Sequence, residues 1–190
     1  MSDADLNGCL NFLRAAERLK DTLRNSRTSS GRTESVADHT WRLCLMAVLF
    51  ARELPSVDLA RLLRICVIHD LGEAIGGDVP AVAQSASAPK AAQERRDLET
   101  LLAPLPPATK TELLELWDEY ETGTTPEARA AKALDKLETI LQHTQGRNPP
   151  DFDYGFNLDY GRRYTTGHPL FDALRAALDA ETRRRAEESE

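Results

Sequence analysis

Apolar residues in the first part of the chain recur at intervals of three and four, which is the spacing of an amphipathic helix. One such stripe predicts a helix over residues 5 to about 24, and turn-forming residues at 27–31 predict a polar loop after it. No segment alternates apolar and polar residues between turns, so we predict no β-strand. The pattern therefore favours an all-α fold.

Two more helices are predicted before residue 70. Ser35 and Asp38 have the spacing of a capping box at the start of the second helix, which should end before Pro55. The third helix begins at Ser56 or Asp58 and is almost wholly apolar to its end. Any charged side chain at that end will be partly buried.

The rest of the sequence predicts four more helices. They lie at residues 90 to about 102, at 109 to about 121, at 125–143, and from 168 into a charged tail at 181–190 that should fray. We expect one all-α domain over residues 1–190, with its core at about 10–144 and a C-terminal loop and helix at 145–190.

Three segments lack this helical periodicity. Glycines and a proline make residues 72–80 irregular, just after the third helix. Residues 85–89 are typical of a flexible surface connection or a lid. Residues 146–167 form a long aperiodic stretch, and such long loops are often functional.

His69 and Asp70, which close the apolar third helix, are the most informative pair in the chain. A buried carboxylate needs a cation, a partner or a proton. His39 and Asp135, each on a predicted helix, could share such a cation. Two imidazoles and two carboxylates suit a divalent first-row metal, and manganese, cobalt, magnesium, iron and zinc all remain open.

Three short motifs contain these four residues. They read Asp38-His39, His69-Asp70-Leu71-Gly72-Glu73 and Leu134-Asp135-Lys136-Leu137-Glu138. In this order, H…HD…D, they resemble the HD-domain metal-dependent phosphohydrolases. The sequence segments at 31–42, 69–80 and 116–121 resemble the 5'-deoxynucleotidase branch of that superfamily, and the resemblance covers about residues 10–144.

The resemblance implies that His39, His69, Asp70 and Asp135 hold the metal and that Glu73 and Asp78 belong to the active site. Four protein ligands would leave about two positions of an octahedral ion for a water and a phosphate oxygen. Glu73 would orient or deprotonate the water, and Asp78 could share that role or protonate the leaving oxygen. A solvated carboxylate at a helix end is the ordinary alternative for Glu73.

The resemblance also implies an arginine that binds the substrate phosphate. Arg24 is the best match, and Arg27 and Arg32 are further candidates, because a guanidinium can bind phosphate through two hydrogen bonds. Surface solubility is the ordinary explanation for Arg27. A salt bridge with Glu34 that pins the loop is the alternative for Arg32.

Other polar and aromatic residues have plainer interpretations. Trp41 and Trp117 lie at helical spacing among apolar neighbours, which favours core packing for both. His143 and His168 have no matching partner pattern and favour surface or helix-end positions. Asp38 favours a capping role over support of the metal ligands.

Composition limits the class of protein. A net charge of −7 argues against nucleic-acid polymers as partners. The three cysteines, Cys9, Cys44 and Cys66, lie in apolar segments that are predicted to be helical, which favours reduced thiols in the cytoplasm. No apolar stretch reaches the roughly 20 residues of a membrane span.

The resemblance implies a phosphomonoesterase that releases phosphate from deoxyribonucleoside 5'-monophosphates. One alternative is an HD phosphohydrolase acting on an alarmone, a nucleoside triphosphate or a cyclic dinucleotide, although the glycine-tyrosine-proline signature of the last class is absent. The other is a non-catalytic, metal-binding helical module. The resemblance further implies a homodimer, for which the helix at 109–121 could supply the interface.

Overall fold

The computed structural model describes residues 1–79 and 90–188, and the predicted connection at 85–89 lies outside them. The elements in chain order are α1 Asp3–Ala16, β1 Leu23–Arg27, β2 Thr33–Ser35, α2 Val36–Leu49, α3 Leu59–Ile68, α4 Glu73–Gly76, α5 Lys90–Leu101, α6 Pro107–Thr122, α7 Pro126–Gln145 and α8 Pro169–Glu187. Short 3-10 helices lie at Glu17–Lys20, Ala51–Glu53 and Gly155–Leu158. Helices dominate the fold, which confirms the all-α prediction.

Helix α7 lies at the centre of the fold. It packs against α2, α3, α6 and α8. Its small residues Ala130, Ala131 and Ala133 are buried together with Leu134 and Leu137. Since the distance between packed helices depends on side-chain size, these alanines let the neighbours approach closely. This packing brings α7 next to the two helices that carry His39 and His69.

The predicted helix starts agree with the structure better than the predicted ends. Ser35 accepts a hydrogen bond from the Asp38 amide at 3.1 Å, and the Asp38 carboxylate accepts one from the Ser35 amide at 2.9 Å. The capping box and the capping role of Asp38 are thus confirmed. Asp58 caps α3. Helix α2 ends at Leu49, earlier than predicted, and a 3-10 turn at Ala51–Glu53 completes the segment.

The prediction of no β-strand is wrong. β1 and β2 pair antiparallel, and α1 ends at Ala16, so that Arg24 lies on a strand rather than a helix. The two strands are five and three residues long and mainly polar, which is too short for an alternating pattern to stand out. Gly31, with a φ of +90°, lies in the connecting loop, where a positive φ favours glycine.

The two tryptophans have opposite environments. Trp117 is buried, as predicted, whereas Trp41 is 67% exposed, so its predicted place in the core is wrong. Helix α2 has apolar residues on two sides, and periodicity does not tell which side meets the core. Its exposed apolar residues, here called the α2 stripe, are Trp41, Leu45, Val48 and Leu49.

The structure does not test the predicted dimer interface on the helix at 109–121, which stays a prediction. The apolar residues Leu116, Trp117 and Tyr120 of α6 are buried inside the chain and belong to its core. They are therefore already used in folding, although Leu116 also lines an apolar groove between α3 and α6 together with Leu113.

The C-terminal tail is more ordered than predicted. Helix α8 continues to Glu187, through most of the segment expected to fray. Thr182 is fully buried, and Arg185 donates hydrogen bonds to the Gly146 carbonyl and the Tyr154 hydroxyl, both at 2.9 Å. Tertiary contacts thus hold a segment whose charge alone suggested disorder.

Candidate functional site

The helix ends carry the predicted ligand residues into the core. Leu62, Ile65 and Cys66 bury one side of α3, so His69, which follows its last residue, is only 4% exposed. His39 lies in the first turn of α2 and is fully buried. Two imidazoles from the ends of separate helices therefore meet in the interior of the protein.

Three of the four predicted metal ligands come together in one cluster. Ligand atoms of His39, His69 and Asp70 all lie within 4.8 Å of one another. The Asp70 Oδ2 atom is 3.0 Å from His69 Nε2 and 3.8 Å from His39 Nε2. Asp135 adjoins the cluster, with its Oδ1 3.3 Å from His39 Nε2.

Hydrogen bonds at Nδ1 fix the orientation of both imidazole rings, so that Nε2 of each ring is directed into the cluster. His39 Nδ1 donates to the Glu138 carboxylate, and His69 Nδ1 donates to the Cys66 carbonyl at 2.8 Å. Both acceptors lack protons, so Nδ1 must carry the hydrogen in each ring. Such hydrogen bonds orient the histidines of metal sites and leave Nε2 as the ligand atom.

Both Nε2 atoms are buried and have no hydrogen-bond partner among residues 1–79 and 90–188. A buried polar atom without a partner costs free energy, and its presence in a native fold calls for an explanation. A cation between the two nitrogens and the Asp70 carboxylate supplies that partner. The donor set, two imidazoles with carboxylates, fits a divalent ion.

The charges around the cluster also favour a cation. Burial and Arg24 lower the pKa of His39, but Glu138 and Asp135 raise it more strongly, to about 10. Burial raises the pKa of Asp70, but the interactions with His69 and His39 lower it by more. The net effect holds this pKa well below its usual range, so the carboxyl stays ionised. The site therefore attracts positive charge to the Nε2 atoms, as a proton or as a metal ion.

Asp135 is held by two neighbours on its second oxygen. Its Oδ2 accepts from the Tyr120 hydroxyl at 2.6 Å and lies 2.8 Å from Lys136 Nζ. Burial raises the pKa of the Asp135 carboxyl, but Lys136 and the histidines lower it well below its usual range. Asp135 is thus an ionised carboxylate whose other oxygen, Oδ1, is directed towards His39.

The cluster opens into a cavity of about 490 Å³. Asp70, Glu73 and Asp78 all line it. Glu73 is only 3% exposed, on the short helix α4, whose first amide donates to the Asp70 carbonyl at 3.0 Å. Gly77 has a φ of +77°, a turn that a side chain would strain, and it brings the chain to Asp78.

The three candidate arginines are placed very differently. Arg24 lines the cavity, with its Nη1 3.9 Å from Asp70 Oδ2 and its Nη2 donating to Thr139 at 3.0 Å. Arg27 donates to the Gly31 carbonyl at 3.2 Å, and Arg32 pairs with Asp38 at 2.7 Å. Neither Arg27 nor Arg32 lines the cavity.

The small sheet positions Arg24. Its Nε donates to Glu34 at 3.2 Å across the two strands, and Ser26 holds the same carboxylate oxygen at 2.7 Å. Glu34 is buried, and it pairs with Arg24 rather than with Arg32, the partner suggested by the sequence. The sheet that the sequence pattern missed is thus what directs Arg24 towards Asp70.

Sequence reasoning missed three residues of the site. Glu138, fully buried, supports His39, and Lys136 and His143 line the cavity. Helical spacing could have identified Glu138, which lies three residues after Asp135, but not Lys136, which is its direct neighbour in the chain. His143 lies in the last turn of α7, so its predicted helix-end position is confirmed, and it also lines the cavity because residues 149–160 fold beside it. His168 caps α8, so it too is a helix-end residue.

Comparisons with known proteins agree with this geometry. A family model described as an HD domain matches residues 16–175. The 5'-deoxynucleotidase HDDC2 of Mus musculus is 36% identical over 143 residues, which cover 73% of this chain and 69% of that protein. The 5'-deoxynucleotidase hdd1 of Schizosaccharomyces pombe is 34% identical over 137 residues, which cover 69% and 68%.

A solved structure shares the fold. The crystal structure of a predicted metal-dependent phosphohydrolase from Magnetospirillum magnetotacticum superposes with a TM-score of 0.81 at 30% sequence identity, covering 97% of this chain and 95% of that one. None of the helices in the described part of the chain combines the length and apolarity needed to cross a membrane. The match over residues 16–175, together with these relatives, establishes that the chain belongs to the HD-domain family.

Proposed function

We propose that this protein is a metal-dependent 5'-deoxynucleotidase, which hydrolyses a deoxyribonucleoside 5'-monophosphate to a deoxynucleoside and phosphate. One observation carries the proposal: two buried imidazole nitrogens without hydrogen-bond partners in the described chain face a carboxylate that lines the cavity. The relatives named 5'-deoxynucleotidases, at 34–36% identity, support the substrate class.

His39, His69, Asp70 and Asp135 would hold a divalent ion. When bound, such an ion supplies positive charge that polarises the phosphate and makes a water molecule more acidic. The donor set is compatible with manganese, cobalt, magnesium, iron or zinc. Glu138 and the Cys66 carbonyl keep the two rings in the tautomer that exposes Nε2.

Glu73 and Asp78 would move the protons. The water oxygen forms a bond to phosphorus while the bond from phosphorus to the 5' oxygen breaks. Glu73, buried beside Asp70, takes the proton from the water, and Asp78 gives a proton to the leaving oxygen. Glu73→Gln should therefore keep the ion and lose turnover by about 10²- to 10⁴-fold, measured by metal content and phosphate release.

Arg24 would bind the phosphate. Its guanidinium lies between Asp70, Glu34 and Thr139, with one face towards the cavity. A charged nitrogen within reach of the candidate ligand Asp70 can contact the non-bridging phosphate oxygens, where charge-assisted hydrogen bonds are strong. Arg27 and Arg32 would serve the fold of the sheet and its loop instead.

The test is phosphate release by metal-stripped protein, with each of the five metals added back singly. The panel contains deoxynucleoside and ribonucleoside 5'-monophosphates, nucleoside triphosphates and an alarmone. The proposal predicts release from deoxynucleoside monophosphates, well above release from ribonucleotides, and only with metal. Activity confined to polyphosphates or alarmones would overturn the substrate, and silence on every compound would favour the binding module.

We also propose that residues 1–190 act as one HD domain, in the cytoplasm, as a homodimer. Three free cysteines support a reducing compartment. The exposed α2 stripe, an apolar face of a kind that often marks an interface, supports self-association. Sedimentation should give a dimer for the wild type and a monomer for Leu45→Arg, with Leu13→Arg on α1 as the control; a monomeric wild type would refute the dimer.

A further inference from the structure

The side of the cavity away from the metal cluster is built by one segment without long secondary structure. Six of the lining residues come from residues 149–160, here called the outer wall. They are Pro149, Asp151, Phe152, Asp153, Phe156 and Tyr160. Half of these six side chains are aromatic, and two of them, Asp151 and Asp153, are acidic.

A cation and two aromatic rings follow one another along the cavity, starting at the metal cluster. Next to the candidate metal ligand Asp135 lies the cation Lys136, at 2.8 Å. Lys136 Nζ is 5.4 Å from the centre of the Tyr160 ring, and that ring is 5.1 Å from the ring of Phe156. A charged end followed by flat apolar surfaces matches a nucleoside monophosphate, which carries its phosphate at one end and its base at the other.

A second aromatic group lies beside the end of α7. The Phe152 ring is 5.0 Å from the His143 ring, in an edge-to-face arrangement, and 5.0 Å from Tyr154. Phe152 and Phe156 are only partly buried, although both line the cavity. Apolar ring faces left towards water are favourable places for a flat ligand, because covering them releases their hydration.

The outer wall is fixed from behind by α8. Arg175, 4% exposed, donates to the carbonyl oxygens of Asn157 at 2.8 Å and Tyr160 at 2.7 Å, and also to that of Leu158. The Asn157 side chain in turn contacts His143 Nδ1 at 2.7 Å. A wall held in place before binding loses little conformational entropy when a ligand arrives.

We propose that the outer wall is the nucleoside subsite, in which Phe152 and Phe156 stack on the base of the deoxynucleotide. The inference rests on the proposed function and names the part of the site that recognises the base. Stacking requires only the π-face that every base has, so this subsite accepts purines and pyrimidines alike. Lys136 marks the end of the subsite where the phosphate lies.

The test compares substrates with and without a base. Phe152→Leu and Phe156→Leu should each raise KM for dAMP and dCMP by about tenfold, while kcat/KM for 2-deoxyribose 5-phosphate stays within about twofold of the wild type. Phe156→Tyr should restore the wild-type KM. Tyr164→Leu, an aromatic of the same loop that does not line the cavity, is the matched control and should change neither substrate.

A binding measurement separates this inference from the proposed function. Equilibrium dialysis of deoxyadenosine with the metal-loaded protein needs no turnover, and the two leucine variants should bind it about tenfold more weakly than the wild type. Equal Kd values for wild type and variants, or equal losses on dAMP and 2-deoxyribose 5-phosphate, would overturn the nucleoside subsite. No phosphate release from any deoxynucleotide by the wild type would instead overturn the proposed function.

Discussion

Two buried charged clusters of this protein look alike in exposure and differ in how their polar atoms are satisfied. Arg175 and Asp179 are 4% and 6% exposed, and His69 and Asp135 are both 4% exposed. Every nitrogen of the Arg175 guanidinium donates a hydrogen bond. His39 and His69, in contrast, each present a nitrogen without a partner in the described chain.

The difference separates a structural cluster from a functional one. Arg175 uses its donors to fix backbone carbonyls of a segment whose regular secondary structure is one short 3-10 helix. The histidine cluster uses Nδ1 of each ring for a hydrogen bond to the protein and turns both Nε2 atoms towards Asp70. Burial alone therefore does not identify a site, and neither does one buried atom without a partner; the histidine cluster stands out because two such imidazole nitrogens lie beside a carboxylate, which together form the donor set of a metal.

The largest expected effect is loss of the ion. Asp70→Ala should abolish both metal binding and phosphate release, because it removes the carboxylate between the two Nε2 atoms. The metal-free variant should unfold with a free energy about 1–3 kcal/mol below that of the metal-free wild type, because His69 and His39 hold the pKa of Asp70 below its usual range and so interact favourably with its carboxylate in the folded protein. Metal titration and urea denaturation measure the two quantities. Full metal binding by Asp70→Ala would contradict its assignment as a ligand.

In the cluster of Arg175 and Asp179, we expect a substitution to reduce stability and to leave metal binding unchanged. Arg175→Met should lower the free energy of unfolding by about 3–5 kcal/mol, because it removes the close ion pair of the buried Asp179 and leaves this carboxylate only the longer contact to Arg162, at 3.5 Å. The metal affinity of the fraction that remains folded should stay near that of the wild type. Replacing both residues, with Arg175→Met and Asp179→Leu, should recover part of the lost stability in urea denaturation. A fully stable single variant would show that the cluster does not support the fold.

A smaller effect is expected behind His39. Glu138→Gln should weaken metal binding by about 10- to 100-fold, because a neutral amide no longer holds the ring through a charged acceptor. Titration of the metal-stripped protein gives the affinity. Glu115→Gln on the exposed side of α6 is the control and should leave the affinity unchanged. Equal affinities for Glu138→Gln and the wild type would remove Glu138 from the support of the site.

An effect of similar size, on KM rather than on metal affinity, is expected at the phosphate. Arg24→Ala should raise KM by about 10- to 100-fold through loss of a charge-assisted hydrogen bond, with kcat less affected. Arg27→Ala is the matched control from the same strand, and its KM should stay within about twofold of the wild type. If KM rose for Arg27→Ala and not for Arg24→Ala, the phosphate contact would lie at Arg27 instead.

The sequence predicted best what depends on local chemistry. The capping box of Ser35 and Asp38 and the apolar helix before His69 are set by neighbours in the chain, and both are present. The two strands were missed because their pairing depends on contacts with α7, including the hydrogen bond from Gln142 to the Arg27 carbonyl. Trp41 was misplaced because helical spacing does not say which face of α2 meets the core.

The residues of the candidate site also fall into two groups, those that local motifs identify and those whose role depends on tertiary contacts. The motifs named His39, His69, Asp70 and Asp135, and the structure places the first three in one cluster with Asp135 beside it. The roles of Lys136 and His143 depend on the fold of the outer wall, whose aperiodic sequence predicts only a loop. Arg175, which fixes that wall, lies on a different element, so no local pattern connects them.

Anomalous diffraction from crystals soaked in manganese tests the central claim most directly. The account predicts one strong peak between the two imidazoles, about 2.0–2.3 Å from the Nε2 atoms of His39 and His69, with a carboxylate oxygen of Asp70 in contact. No peak there, or a peak held only by Asp151 and Asp153 of the outer wall, would show that the unpartnered nitrogens do not bind the metal.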